Sequence, residues 1–201
     1  RINGRGAGAQ SMRCFNSRLT DADGMSRAGI RKRQSRRAAI ELGQALFFEP
    51  RLSRDHIFAC ATCHEPALAF ADGRHRSLGR GLLDRNAPSL WNAVHERWYG
   101  WDGAADSLWH QAIRPMLDAR EMASTPALVR EALAGDTELA CRYRRAFGNA
   151  ADADDEHTVL VRAAKAIGAF TATLVSGRTP FDHFRDALAR GDRPAMARYP
   201  P

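Results

Sequence analysis

Cys60-Ala61-Thr62-Cys63-His64 is the stretch of this 201-residue chain from which the rest can be read. Two thiols three positions apart, followed at once by histidine, form the attachment pattern of a c-type haem. The spacing lets both sulfurs reach the vinyl-derived carbons on one haem edge. The adjoining imidazole then swings beneath the ring as proximal iron ligand, a role that suits its borderline nitrogen. A bare Cys-x-x-Cys also serves as a redox dithiol or half a zinc site. A zinc site wants a second ligand pair at similar spacing, and the chain has none. The immediate histidine favours haem.

Working outward, the motif sits in an irregular stretch between helices. Residues 51–100 are rich in Gly, Pro, Asp and Asn and show no sustained period. They predict loop with short helical turns, and a bound group to wrap around. Upstream, Ser35 is placed to cap a helix carrying Ala39, Ile40, Gly43, Leu46 and Phe47 on one stripe, which Pro50 ends. Downstream, Trp109, Ala112, Ile113 and Met116 mark a helical face after Ser107, bent or ended by Pro115. Thr125-Pro126 reads as an N-cap with proline at the first helical position, and that helix stops near Gly135. Leu139, Tyr143, Ala146 and Phe147 stripe the next helix, closed by Gly148. Residues 151–156 form an acidic connector or helix start. A helix through Leu160, Ala163, Ala164, Ile167, Phe170, Thr171 and Leu174 ends by Gly177, and a last one runs from Thr179-Pro180 to Gly191. With no strand pattern and no repeat, the fold class is all-α: a cytochrome c-like domain whose irregular loops wrap a covalently attached haem.

Charge divides the chain. Its net charge is +7. Residues 1–37 hold ten Arg/Lys and two Asp, or +8, leaving twenty basic against twenty-one acidic residues, −1, for the remainder. This Gly/Ser-rich basic segment is expected to be a flexible, solvated extension, with 38–190 the haem domain and 191–201 the start of a linker. Without aromatic platforms on a folded basic face, nucleic acid is not the expected partner. No apolar run is long enough to span a membrane. Cys14 and Cys141 remain after the haem pair; they could pair in an oxidising compartment, but with Cys14 in the loose basic segment and Cys141 in a helical pattern, free or buried thiols are expected. The chain starts at Arg1 with no apolar signal region, which reads as a mature form or a fragment. Covalent haem attachment places it in the periplasm.

Leu42-Gly43, Leu46 to Ser53, Cys60 to Pro66 and Phe70-Ala71-Asp72-Gly73 are followed by Arg85 to Asn92 and Trp101-Asp102-Gly103. Ser107-Leu108, Gln111, Pro115, Glu121-Met122 and Thr179 to Asp182 complete an ordered set over residues 38–185. In order and spacing this set resembles the bacterial dihaem cytochrome c peroxidase family, including its MauG-like branch. The resemblance implies two haem domains in the family, of which this chain looks like the N-terminal one. The second haem would then lie outside this chain, and a fragment is favoured over a one-haem derivative.

The resemblance also implies roles. Glu121 matches the distal acid/base that moves a proton between the oxygens of hydrogen peroxide. Gln111 matches a distal hydrogen-bonding residue and Pro115 one that shapes the distal pocket. Trp101 matches the tryptophan between the two haems, an electron relay; Trp91, Trp98 and Trp109 read as core. Asn86 matches a position that helps bind calcium at the domain junction. The implied partners are a donor cytochrome or cupredoxin, or a protein substrate. The chain departs from the pattern at Leu78, where some family members carry a distal histidine, and at Ala104, where arginine is frequent. Leu78 tilts the reading towards the open-haem, MauG-like branch. Two rivals stand beside this one. One is a one-haem electron carrier with Met116, Met122 or His75 as second axial ligand. The other is a catalytically silent fragment that binds a partner domain.

Overall fold

The computed structural model describes residues 27–199. Eight α-helices appear among them: α1 (Arg27–Phe47), α2 (Cys60–Cys63), α3 (Leu108–Leu117), α4 (Pro126–Gly135), α5 (Thr137–Phe147), α6 (Glu156–Thr171), α7 (Pro180–Arg190) and α8 (Arg193–Met196). Single 3-10 turns punctuate the connections, and pairing between extended residues is limited to three isolated bridges among the described residues. The all-α expectation holds.

Helix α6 is the axis of the packing: α1, α3 and α4 all lie against it, and α5 lies against α1. Its Val159, Ala163, Ala164 and Ala166 are fully buried. Small side chains here let neighbouring backbones come close. At Gly43 the approach is extreme, because a Cβ there would stand 1.8 Å from the Ala166 carbonyl oxygen. Leu42, Leu46, Phe47 and Leu52 complete the core from α1 and the turn after it.

The helix ends follow local chemistry. Oγ1 of Thr125 accepts from the Leu128 N–H at 3.1 Å, and Asp136 accepts from the N–H groups of Glu138 and Leu139, each at 2.9 Å. Gly148 closes α5 in the left-handed region at φ +85°. Thr179 and Asp182 cap each other reciprocally at the start of α7. Beneath α5, the buried Tyr143 hydroxyl donates to Asp154 Oδ2 at 2.8 Å, and Arg162 pairs with the same carboxylate.

Several expectations need correction. Ser35 does not start α1. The helix is already formed at Arg27, because the Arg, Lys, Gln and Ala residues around Ser35 are good helix formers. The basic segment is therefore helical from Arg27 on; its earlier part, with Cys14, lies outside the described residues. Leu174 is buried but falls beyond the end of α6, where its carbonyl accepts from the Asn92 N–H at 2.8 Å. Helix α7 is followed by one more turn, α8. Cys141, half-buried on α5, is disulfide-bonded rather than free. Trp91, Trp98 and Trp109 are not core residues, being 41%, 57% and 37% exposed. The helices fill their core with smaller side chains, and these rings lie on its surface, Trp91 edge-on to Phe70 and Trp109 beneath the Lys165 ammonium.

Candidate active site

The Cys60–His64 motif folds as one helical turn, α2, which puts the two cysteines on the same face. Thr62 Oγ1 accepts from the Ala59 N–H at 3.0 Å, closing the start of the turn. Ser53 anchors what precedes it. Fully buried, its Oγ donates to the Pro50 carbonyl and accepts from the N–H groups of Ile57 and Phe58. The motif is thus tied to the end of α1.

His64 is held by the loop that follows. Its Nδ1 lies 2.9 Å from the Phe70 carbonyl oxygen. A carbonyl only accepts, so Nδ1 carries the proton and Nε2 keeps its lone pair for a metal. Burial pushes the imidazole pKa down, opposed in part by the Phe70 and Pro88 carbonyls. The neutral ring that iron needs is therefore favoured. Reaching Phe70 requires a tight return: Ala69 and Phe70 both sit in the left-handed region, at φ +57° and +56°. Such residues cost about 1–3 kcal/mol each, and strain of this kind gathers at functional sites. Asp72 fastens the next segment by accepting from the Ser77 hydroxyl at 2.5 Å and the Arg74 N–H at 3.1 Å.

Helix α3 forms the opposite wall. Its Gln111 and Pro115 stand four residues apart on one face. Pro115 has no N–H to give the Gln111 carbonyl, and the helix ends at Leu117. The chain then folds back: Met122 N–H donates to the Pro115 carbonyl at 3.1 Å and Ser124 N–H to that of Met116 at 2.7 Å. This return brings Glu121 beside Pro115. The Gly79–Gly81 loop braces it, with the Gly81 N–H donating to the Arg120 carbonyl at 3.0 Å. A Cβ at Gly79 would meet that carbonyl oxygen at 2.6 Å.

Between the walls lies a cavity of about 530 Å³, lined by Cys63, His64, Asn86, Trp101, Gln111, Pro115 and Glu121 among others. That size falls in the range of small-molecule and cofactor sites. A narrower apolar recess of about 100 Å³ adjoins it, bounded by Cys60, Phe47, Phe58, Leu90, Met122 and Ile167. Cys63, His64, Gln111, Pro115 and Glu121 border both spaces. The cleft thus has an apolar floor and a mouth that carries Arg85, Arg114 and Arg120. Both motif cysteines are free, and burial pushes the Cys60 thiol up to about 12. Among the described residues no group of three or more His, Cys, Asp or Glu side chains converges to hold a metal ion. The mouth also carries Asp84, Asp102 and Asp118, and Arg114 and Arg120 pair with Asp102 and Asp84. An apolar slot, two thiols and an imidazole together fit a haem, a flat apolar ring whose carboxylate edge would meet this polar mouth.

All eight residues singled out in the sequence thus gather at this cleft. Burial, then Asp118, pushes the Glu121 pKa up, while Arg114 and Arg120 pull it down. Trp101, 62% exposed, donates its indole N–H to the Asn86 carbonyl at 2.9 Å. Of the three axial alternatives, Met116 is fully buried in the core, His75 is exposed and lines neither space, and Met122 alone borders the recess. Leu78 is exposed and lines neither space. The sequence reading missed Arg114, Asp102 and Gly79. Asp102 stands in the Trp-Asp-Gly motif, which was itself a signal; nothing in the pattern marked Arg114.

The helical fold and this cleft define a cytochrome c-like domain. Residues 37–190 match the family model described as "Di-haem cytochrome c peroxidase", and the chain belongs to that family. It is 40% identical over 159 residues to the methylamine utilization protein MauG of Methylorubrum extorquens, covering 78% of this chain and 42% of that protein. It is 39% identical over 158 residues to the cytochrome c551 peroxidase of Pseudomonas aeruginosa, covering 78% and 43%. Among solved structures it resembles a MauG-like protein associated with microbial copper homeostasis, with a TM-score of 0.64 and 27% identity over 75% of this chain and 44% of that one. The diheme peroxidase BthA from Burkholderia thailandensis gives a TM-score of 0.61 at 27% identity, over 78% and 43%. The chain therefore spans less than half the length of these relatives.

Proposed function

We propose that this chain is the N-terminal haem domain of a peroxide-reacting oxidoreductase, served with electrons by a second haem outside it. One observation carries the reading: Glu121, Gln111 and Pro115 face the Cys63–His64 motif across one cleft. The family and its named peroxidases support it.

Cys60 and Cys63 would hold the haem through two thioethers and His64 would bind its iron from the proximal side. When bound, the haem supplies the redox-active iron at which peroxide is reduced. Glu121 accepts a proton from the near oxygen of hydrogen peroxide and returns it to the departing oxygen, so that water leaves. Its raised pKa keeps both protonation states accessible closer to neutral pH. Gln111 orients the peroxide by hydrogen bonding. Pro115 fills the wall between them without adding a competing N–H. Trp101, exposed and tethered to Asn86, relays electrons from the second haem domain. Asn86 contributes oxygen donors to a calcium site completed by that domain. The haem unit spans 38–190, between the basic extension 1–37 and a linker beginning at 191. Its electrons come from a donor cytochrome, a cupredoxin or a protein substrate, and covalent haem places it in the periplasm. No described helix is long and apolar enough to cross a membrane.

The test is the absorption and electron paramagnetic resonance spectrum of the ferric protein, before and after peroxide. A high-spin haem that peroxide converts is the expected result, and Glu121→Gln should slow the conversion by about 10²–10⁴-fold. A low-spin, peroxide-inert haem would instead make this a carrier, with Met122 as the candidate second ligand.

A further inference from the structure

The Arg114 guanidinium grips the Asp102 carboxylate as a fork, Nη1 to Oδ1 at 3.0 Å and Nη2 to Oδ2 at 2.7 Å. Planar two-point pairing of this kind fixes orientation as well as distance. Nη1 also reaches Gln111 Oε1 at 3.3 Å. A guanidinium has donors and no acceptor. The carboxamide atom it faces must therefore be the oxygen, which leaves the amide NH2 on the other side of the same carbon. Without Arg114 the two ends of the amide would be nearly interchangeable.

The turn before α3 is shaped around this junction. Gly100 has φ +79°, and a Cβ there would meet Arg114 Nη1 at 2.7 Å, Asp102 Oδ1 at 2.9 Å and Gln111 Oε1 at 3.1 Å. Three polar atoms from three residues thus converge over a position only glycine fits. The Gly103 N–H donates to the Gly100 carbonyl at 3.0 Å and closes the turn. Trp101, in the same turn, is tied to Asn86.

We propose that Arg114, held by Asp102, is a positioning residue that sets the Gln111 carboxamide with its NH2 towards the cleft, as donor to a ligand bound there. Gln111 borders both the main cavity and the apolar recess, so its free edge is placed to meet such a ligand. The proposal rests on the reading of the cleft as a haem site.

The experiment is infrared spectroscopy of carbon monoxide on the reduced, haem-loaded protein. A fixed N–H donor to the bound gas gives one narrow C–O band at lowered frequency. Arg114→Leu and Asp102→Asn should each shift most of the intensity to a higher-frequency band, the position that Gln111→Leu produces. Adding Gln111→Leu to Arg114→Leu should move the band no further, and Asp102→Glu should restore the native one. A general loss of packing would not give this pattern of equivalence and rescue. Asp102 is exposed and its change to Asn nearly isosteric, so that variant decides if Arg114→Leu does not fold. Native bands in both variants, with a shifted band in Gln111→Leu, overturn the proposal. An unshifted band in Gln111→Leu shows that Gln111 does not face the ligand, which overturns the haem-site assignment of this wall and the proposal with it.

Discussion

Glu121 shows how function and stability pull apart at a single residue. Its carboxyl is raised in the folded protein, first by burial and then by Asp118. The folded state therefore binds the proton more tightly than the unfolded chain does. Stability is greatest below the unfolded value and falls as pH rises through the folded one. Glu121→Gln should accordingly raise the melting temperature at neutral pH, an advantage that fades as pH drops through the raised carboxyl value. Thermal denaturation across that range checks it, and a pH-independent difference would contradict the burial account. Arg114 and Arg120 oppose the shift, so Arg114→Leu should move the acid limb of the peroxide reaction to higher pH. Cys60, Cys63 and His64 stood out in the sequence because the Cys-x-x-Cys-His motif fixes their spacing, whereas Glu121 was marked only by the family resemblance, since locally it reads as a surface or capping glutamate. Arg114 was marked by neither, because its meaning comes from Asp102 and Gln111, which the turn at Gly100 brings to it.

Helices α1 and α6 meet where neither tolerates a larger side chain. Gly43→Ala would drive a methyl group into the Ala166 carbonyl, and overpacking of this kind costs about 1–3 kcal/mol or more. Urea unfolding should place this variant well below Gly135→Ala, at whose Cβ position there is open space. At the N-terminus of α4, Thr125→Ala removes the acceptor for the Leu128 N–H and should cost about 1 kcal/mol. Caps and stops at Thr125, Gly148, Thr179 and Gly191 were readable because they depend on neighbours within four residues. The start of α1 was misjudged at Ser35, since one capping residue was weighed against a run of helix formers on both sides. The tryptophans failed for another reason: size and hydrophobicity suggest burial, but only packing says which faces of the small-residue helices remain uncovered.

For the whole molecule, two parts of unequal regularity share one cleft. The α1–α6 packing is a conventional helical core, whereas residues 51–107 carry only short turns and arrange themselves around the haem slot. A chain with Cys60→Ser and Cys63→Ser, which cannot retain haem covalently, should keep slow amide exchange in α1 and α6 and lose protection across 58–103. Uniform protection in that variant would mean that the loops need no bound group to hold them. The family assignment fits this division, because the matched segment, 37–190, takes in both the helical core and the loops.

The sequence by itself determined the Cys-x-x-Cys-His motif and the helical class, since both are written in spacings along the chain, and its ordered set of short motifs carried the family resemblance that marked the other cleft residues. Tertiary structure decided the rest. It put His64 and Glu121, far apart in sequence, on facing walls, tied the Phe70 carbonyl to the imidazole through two left-handed residues, and joined Asp102, Arg114 and Gln111 over Gly100. These are contacts in space between short polar groups. Their strength depends on angles and burial that no linear pattern encodes.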